Sequence, residues 1–213
     1  MNVQWYPGHM TKAKRQMQED LKLIDLIIEL VDARVPLSSR NPDIDQLGQN
    51  KSRLILLNKA DLADERQNEA WKEYFQKRGF HVVKVDSRNG SGMKTIQNVI
   101  QEACKEKIER DRRRGIKNRP IRAMVAGIPN VGKSTFIKIL TGANEPTSGT
   151  IEFNGKEYAK LTPKQSMELG ISVIYQEFSL IPYLSVAENI FYGREIKKGI
   201  IRDIAAMEKP AKE

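Results

Sequence analysis

The sequence predicts an α/β protein: a doubly wound, mostly parallel sheet followed by a small α+β extension. Three observations predict it. Short apolar runs ending in polar residues alternate with helical stretches over residues 1–142. One run opens directly into the glycine-rich "GIPNVGKSTFIKILTG", 127–142. Another closes in "NKAD", 58–61, so both polar motifs fall at strand ends, where open α/β sheets bind ligands.

The elements follow in order. "WYPGHMTKAKRQMQEDL" contains a Pro-Gly turn and then a polar helix. "IDLIIELVDA", 24–33, is a continuous apolar run ending in an acid, the mark of a buried parallel strand. "SRLILLNKAD", 52–61, is a second such strand. "DERQNEAWKEYFQKRG" reads as a helix with Gly79 near its end, and "FHVVKVDSRNG" as a third strand and turn. "GMKTIQNVIQEACKEKIERDRRR" reads as one long amphipathic helix, and "RAMVAG" as the fourth strand, feeding the loop. Beyond Gly142 the texture changes. "NEPTSGTIEFNGKEY" carries an Asn-Gly hairpin signal. "TPKQSMELG" is a short helix with Thr162 as N-cap and Pro163 in its first turn. "ISVIYQE" reads as a strand that can extend the sheet, "SVAENIFYG" as a short helix, and the end as charged and frayed.

Composition narrows the class. A chain of 213 residues suffices for one sizeable domain with an appendage, and 39% hydrophobic with 30% charged residues is a globular balance. No run approaches the roughly 20 apolar residues of a membrane helix. No secretory signal pattern opens the chain, and Cys104 is alone, which excludes a disulfide framework or a cysteine metal cluster. The expected location is the cytoplasm. The net charge of +9 favours an anionic partner such as RNA, although many proteins are simply basic. The basic residues concentrate in "KEKIERDRRRGIKNR", 105–119, and at Lys12, Lys14 and Arg15.

Gly127, Gly132, Lys133 and Ser134 satisfy G-x-x-x-x-G-K-S. The glycines let backbone N–H groups close on phosphate oxygens, Lys133 reaches the β- and γ-phosphates, and the Ser134 hydroxyl suits Mg²⁺. Asn130, Val131 and Thr135 complete the expected phosphate-binding set. Asp61 can accept two hydrogen bonds from the N1–H and 2-amino groups of guanine, whereas adenine would leave that carboxylate unpaired. Asn58 suits the acceptor edge of the base, the Lys59 stem its face, and Ser87 and Arg88 a backbone contact to the guanine oxygen. The pair of motifs therefore favours GTP/GDP over ATP. The base reader precedes the phosphate loop, which is the order of a circularly permuted P-loop NTPase-like domain.

On "WYPGHMTKA", "DARVPLSSRNP", "LILLNKADL" and "GIPNVGKST", residues 1 to about 140 resemble the circularly permuted ribosome-assembly GTPases of the YlqF/RbgA family. The resemblance implies a cytoplasmic GTPase acting on the large ribosomal subunit and its rRNA late in maturation. It also implies that Asn130 coordinates K⁺ and that His9 serves catalysis. From the residues alone His9 is equally a surface histidine. That family's threonine switch and Asp-x-Pro-Gly turn should follow the loop, and neither is present; Asp203 is the one aspartate after Gly142. The stretch from "GKSTFIKILTG" through "YQEFSLIPYLSVAENIFYGREI" is instead similar to the ATPase subunit of sugar-importing ABC transporters, with Gln176 at that family's Mg²⁺-contacting position. The chain thus reads as 1–142 GTPase-like, 143–199 ABC-like and 200–213 a charged tail, joined at "GKST" by recombination, engineering or mis-assembly; a GTPase with drifted switches is the alternative. Three functions compete: a ribosome-assembly GTP-binding protein with impaired hydrolysis, an ATP-binding transporter fragment with a membrane partner, and a non-catalytic RNA-associated nucleotide binder.

Overall fold

The computed structural model describes residues 19, 21–116, 119–147, 150–153, 156–173, 181–193, 195–198 and 201–211. The chain divides into two compact units, 1–173 and 174–213.

The first unit is built on four parallel strands: β1 (Leu26–Asp32), β2 (Ser52–Asn58), β3 (His81–Val85) and β4 (Ala123–Ala126), in the order β3-β2-β1-β4. Every residue of β1 is buried, as a strand covered on both faces requires. Side chains alternate between faces. Leu26, Ile28, Leu30, Leu54 and Leu56 join one core with Met93, Phe136 and Ile139. Val31, Ile55 and Leu57 join the other with Phe75 and Val82. The order reverses at β1: the chain steps outward to β2 and β3, then returns to place β4 on the opposite side. The carboxyl ends of β1 and β4 therefore flank a topological switch point, and β4 runs straight into the glycine-rich loop.

Between β1 and β2 lies α1 (Pro42–Leu47), absent from the sequence reading. Asn41 caps it by accepting from the Asp43 N–H, and Pro42 occupies its first position. Helix α2 (Glu65–Gln76) is capped by Asp64 and buries Phe75 against the sheet. The expected long helix is in fact two, α3 (Met93–Ala103) and α4 (Lys105–Arg113), broken at the buried Cys104. The Ser52 hydroxyl donates to the Ala103 carbonyl at 2.6 Å, a partner outside the helix at the point where the helix ends. Helix α5 (Lys133–Leu140) follows the loop. Strands β5 (Ile151–Phe153) and β6 (Lys156–Tyr158) form the expected antiparallel hairpin, but they pair only with each other and do not extend the main sheet. Ile151 is spent in the core beside α3 instead. Helix α6 (Pro163–Glu168) carries a full capping box between Thr162 and Gln165. Ile171–Val173 carry no strand, contrary to expectation, and residues 174–180 lie outside the described set. Among the described residues no strand pairs with the outer edge of β4.

The second unit contains α7 (Val186–Ile190), capped by Ser185 and Glu188, a two-stranded hairpin β7 (Lys197–Lys198) and β8 (Ile201–Arg202), and α8 (Ile204–Ala211). The tail expected to fray is thus ordered: Met207 is fully buried and α8 packs on α7. Among the described residues no helix is long and apolar enough to cross a membrane.

Candidate nucleotide-binding site

The loop from Gly127 to Gly132 is shaped by its neighbours. Gly132 has φ +99°, and a Cβ there would stand 2.2 Å from Asn58 Nδ2. Only glycine lets the loop pass this close to the end of β2. Asn130 also adopts the left-handed region, at φ 66°. Lys133 turns its ammonium inward, donating to the carbonyls of Gly127 and, at 3.0 Å, Ile128. Burial lowers its pKa. An anion gripped by the loop would supply the counter-charge that those neutral carbonyls only approximate. The first turn of α5 follows directly, where a helix presents free N–H groups and the positive end of its dipole. Ser134 is exposed and Thr135 half-buried; Val131 is buried.

Two residues of "NKAD" are tied to this loop. Asn58 is almost fully buried. Its Nδ2 donates to the Val131 carbonyl at 2.7 Å, and its Oδ1 accepts from both the backbone N–H and the hydroxyl of Ser87, each at 2.9 Å. One carboxamide therefore joins the ends of β2, β3 and β4, and a single N–H remains for a ligand. Lys59 sits in the left-handed region at φ 60°. Its Nζ donates to Asp32 Oδ2 at 2.8 Å and to the Asn130 carbonyl at 3.0 Å.

Asp61 opens a short 3-10 turn, Ala60–Leu62, and is exposed. Among the described residues no side chain or backbone group bonds its carboxylate, and Arg34 lies close enough to feel its charge. It follows Lys59 by two residues, a reach of at most about 7 Å. The segment that carries Asp61 is thus fixed to the phosphate loop through Lys59. A cleft of about 640 Å³ runs from Asp61 along edge strand β3 past Asp86 and Asn89, and the phosphate loop is not among its walls. The backbone N–H groups expected to meet guanine are both engaged: Ser87 with Asn58, and Arg88 with Asp86 Oδ1 at 2.8 Å. A base contact from either must displace one of these bonds. Arg88 is exposed, and its carbonyl accepts from the Thr147 N–H. His9 and Gln176 lie outside the described residues.

Sequence reasoning noted that β1 ends in an acid but gave that acid no role. Asp32 is nearly buried and receives two bonds from the Arg34 guanidinium, at 2.9 and 2.7 Å, besides that from Lys59. The Arg34 hydrogen bonds, and then Lys59, hold its carboxyl well below the usual carboxylate range against the opposing effect of burial. The signal was an acid at the rim of a buried strand, which must find cations.

Comparison with known proteins finds relatives of two kinds. Ribosome biogenesis GTPase A from Bacillus licheniformis is 50% identical over 149 residues, covering 70% of this chain and 53% of that protein. The Priestia megaterium protein of the same name is 50% identical over 150 residues, covering 70% and 52%. Over about 70% of its length the chain is similar to proteins named ribosome biogenesis GTPase A. It spans about half the length of these curated relatives. GNP-bound YlqF from T. maritima is 24% identical with a TM-score of 0.46, covering 94% of this chain and 72% of that one. A family model described as ABC transporter matches residues 118–212, a span that begins before the phosphate loop and takes in nearly all that follows it. Relatives of ribosome biogenesis GTPase type and an ABC transporter match thus overlap on one chain.

Proposed function

We propose that this chain binds GTP and GDP at the switch point of its sheet and acts in assembly of the large ribosomal subunit, with weak or absent hydrolysis. The observation that carries the reading is the bond network from Asn58 and Lys59 to the carbonyls of Val131 and Asn130. It makes the base-reading segment and the phosphate loop one rigid site although the chain encodes them some seventy residues apart. In this reading Asp61 selects guanine, Lys133 and the N–H groups of Gly132, Lys133 and Ser134 hold phosphate, and Ser134 meets Mg²⁺. No group of three or more metal-ligating side chains exists among the described residues. The exposed Asn130, beside the phosphates, is the candidate contact for K⁺. His9 is retained as the candidate catalytic group.

Impaired turnover follows from what comes after the loop. Phosphoryl transfer to water needs a further Mg²⁺ anchor and a group that orients the water. Residues 143–213 carry no D-x-x-G, and their sole aspartate, Asp203, lies in the second compact unit.

A second reading is supported by the ABC transporter match over 118–212: an ATP-binding fragment, with Gln176 at the metal. Titration with fluorescent GDP and ADP separates the two. The first reading expects GDP to bind at least tenfold tighter, and Asp61→Asn to remove most of that preference. Equal or tighter ADP binding would favour the second.

A further inference from the structure

We propose that the arginine cluster at the end of α4, formed by Arg110, Arg112, Arg113 and Arg114, is a contact surface for the phosphate backbone of RNA. The inference rests on the ribosome-assembly reading and names the surface that reading requires.

All four arginines are exposed, and among the described residues none of them forms an ion pair. The buried acids nearby are already engaged, and the exposed Glu106 and Glu109 of the same helix make no ion pair with these arginines. Asp111, on the same helix, is buried and faces Arg119 at 3.4 Å. Asp25, at the start of β1, is buried and takes Lys107 at 2.7 Å and the Arg122 backbone N–H at 3.0 Å. These bonds pin α4 to the sheet while leaving the four arginines outside any ion pair among the described residues. Arg110, Arg113 and Arg114 share one face, at spacings of three and four residues. Like charges there repel, and an anionic polymer relieves that repulsion. Complementing the helix dipole explains one or two cations in a last turn, not four.

Placement supports the assignment. Asp25 and Arg122 immediately precede β1 and β4, so this cluster lies at the amino ends of the strands. The nucleotide loop lies at their carboxyl ends. The two surfaces are opposite ends of the same pair of adjacent strands, which lets one molecule hold nucleotide and RNA without competition. The planar guanidinium also matches phosphate oxygens better than an ammonium does.

The test is anisotropy of a fluorescein-labelled RNA hairpin with the full chain, across about 50–200 mM KCl, where the salt slope counts phosphate contacts at roughly 0.7–0.9 each. The variant R110Q/R112Q/R113Q/R114Q should lose about three from the magnitude of that slope and at least tenfold in affinity at the lower salt. A charge-matched control, R66Q/K77Q/K138Q/K164Q, removes four exposed cations elsewhere and should keep the slope within one contact of the parent. Equal losses in both variants would overturn the proposal, since the cluster would then be no more than a share of net charge. So would wild-type protein that binds GDP but no RNA. Polyglutamate competing as well as RNA at equal charge would assign the face to an acidic protein and also overturn it. GDP affinity is measured alongside: absence of GDP binding by the parent would defeat the nucleotide reading, whereas retained GDP binding with no effect of the cluster on RNA defeats this inference alone.

Discussion

The side-chain amide of Asn58 donates to the carbonyl of Val131 at 2.7 Å, across 73 residues of chain. Parallel strands make this contact possible. β2 and β4 flank β1, all three point the same way, and their carboxyl ends meet at one rim. A site of this kind depends on which strand ends are neighbours and not on the order in which they are encoded.

Replacing Asn58 with alanine removes three hydrogen bonds and leaves the Val131 carbonyl and the Ser87 N–H without a partner in a buried place. Unpaired buried polar groups cost about 1–3 kcal/mol each, partly recovered if water enters. The expected loss in urea unfolding is therefore about 2–4 kcal/mol, with GDP affinity falling in parallel. A change below about 0.5 kcal/mol would mean that the bridge does not hold the loop.

Gly132→Ala tests the same junction sterically. The added methyl group meets Asn58 Nδ2 and the backbone sits at φ +99°. Strain of this type costs about 1–3 kcal/mol. The expected signature is a lower melting temperature that saturating GDP does not fully restore, because the loop can no longer close beside Asn58.

Asp32 gives a pH prediction with a definite sign. Its folded pKa lies below the ordinary 3.8, chiefly through Arg34 and then Lys59. A carboxyl depressed on folding stabilises the protein above its unfolded pKa, and that contribution is lost as pH falls toward the folded value. Wild type should therefore lose stability below about pH 4, and Asp32→Asn should flatten that part of the curve while lowering stability at neutral pH. Asp25, also depressed with burial opposed by Lys107 and the Arg122 N–H, contributes in the same window, so the flattening is partial. An unchanged acid limb in Asp32→Asn would contradict the assignment. The variant should also weaken GDP binding, since Lys59 loses the counter-charge that holds it beside Asn130.

Hydrolysis should be slow. With a phosphate loop but no D-x-x-G downstream, GTP turnover in Mg²⁺ and K⁺ is expected at or below about 10⁻³ per second, the range of an unassisted GTPase. Rapid release of phosphate, abolished by Lys133→Ala, would show that a group outside the "NKAD" and glycine-loop motifs completes the machinery.

The main sheet was legible because its strands are buried on both faces. "LIIELVD" and "SRLILLN" have no amphipathic alternation to confuse with a helix, and each ends in the polar residues that define the rim. The loop was legible because its glycines have no substitute. Other features depend on partners distant in sequence. The break at Cys104 follows a bond from Ser52, 51 residues earlier than Ala103. Glu29 reads as an acid stranded inside an apolar strand until Arg40 and Arg53 arrive to bind it at 2.8 and 3.1 Å. The hairpin β5–β6 was visible from Asn-Gly, yet its failure to join the sheet was not. Edge pairing depends on geometry, and Ile151 gains more by entering the core beside α3 than by lying at an exposed rim. Within the candidate site, Asn58 and Lys59 were read from the sequence as contacts to the base. Their binding of the loop itself was visible only once the strand order was known.

The most direct test of the central claim is a paired titration of wild type and Asp61→Asn with labelled GDP and ADP under identical salt and Mg²⁺. The account predicts at least a tenfold preference for GDP in wild type and its near disappearance in the variant, with stability unchanged because Asp61 is exposed. ADP binding as tightly as GDP, or GDP affinity indifferent to Asp61, would contradict it.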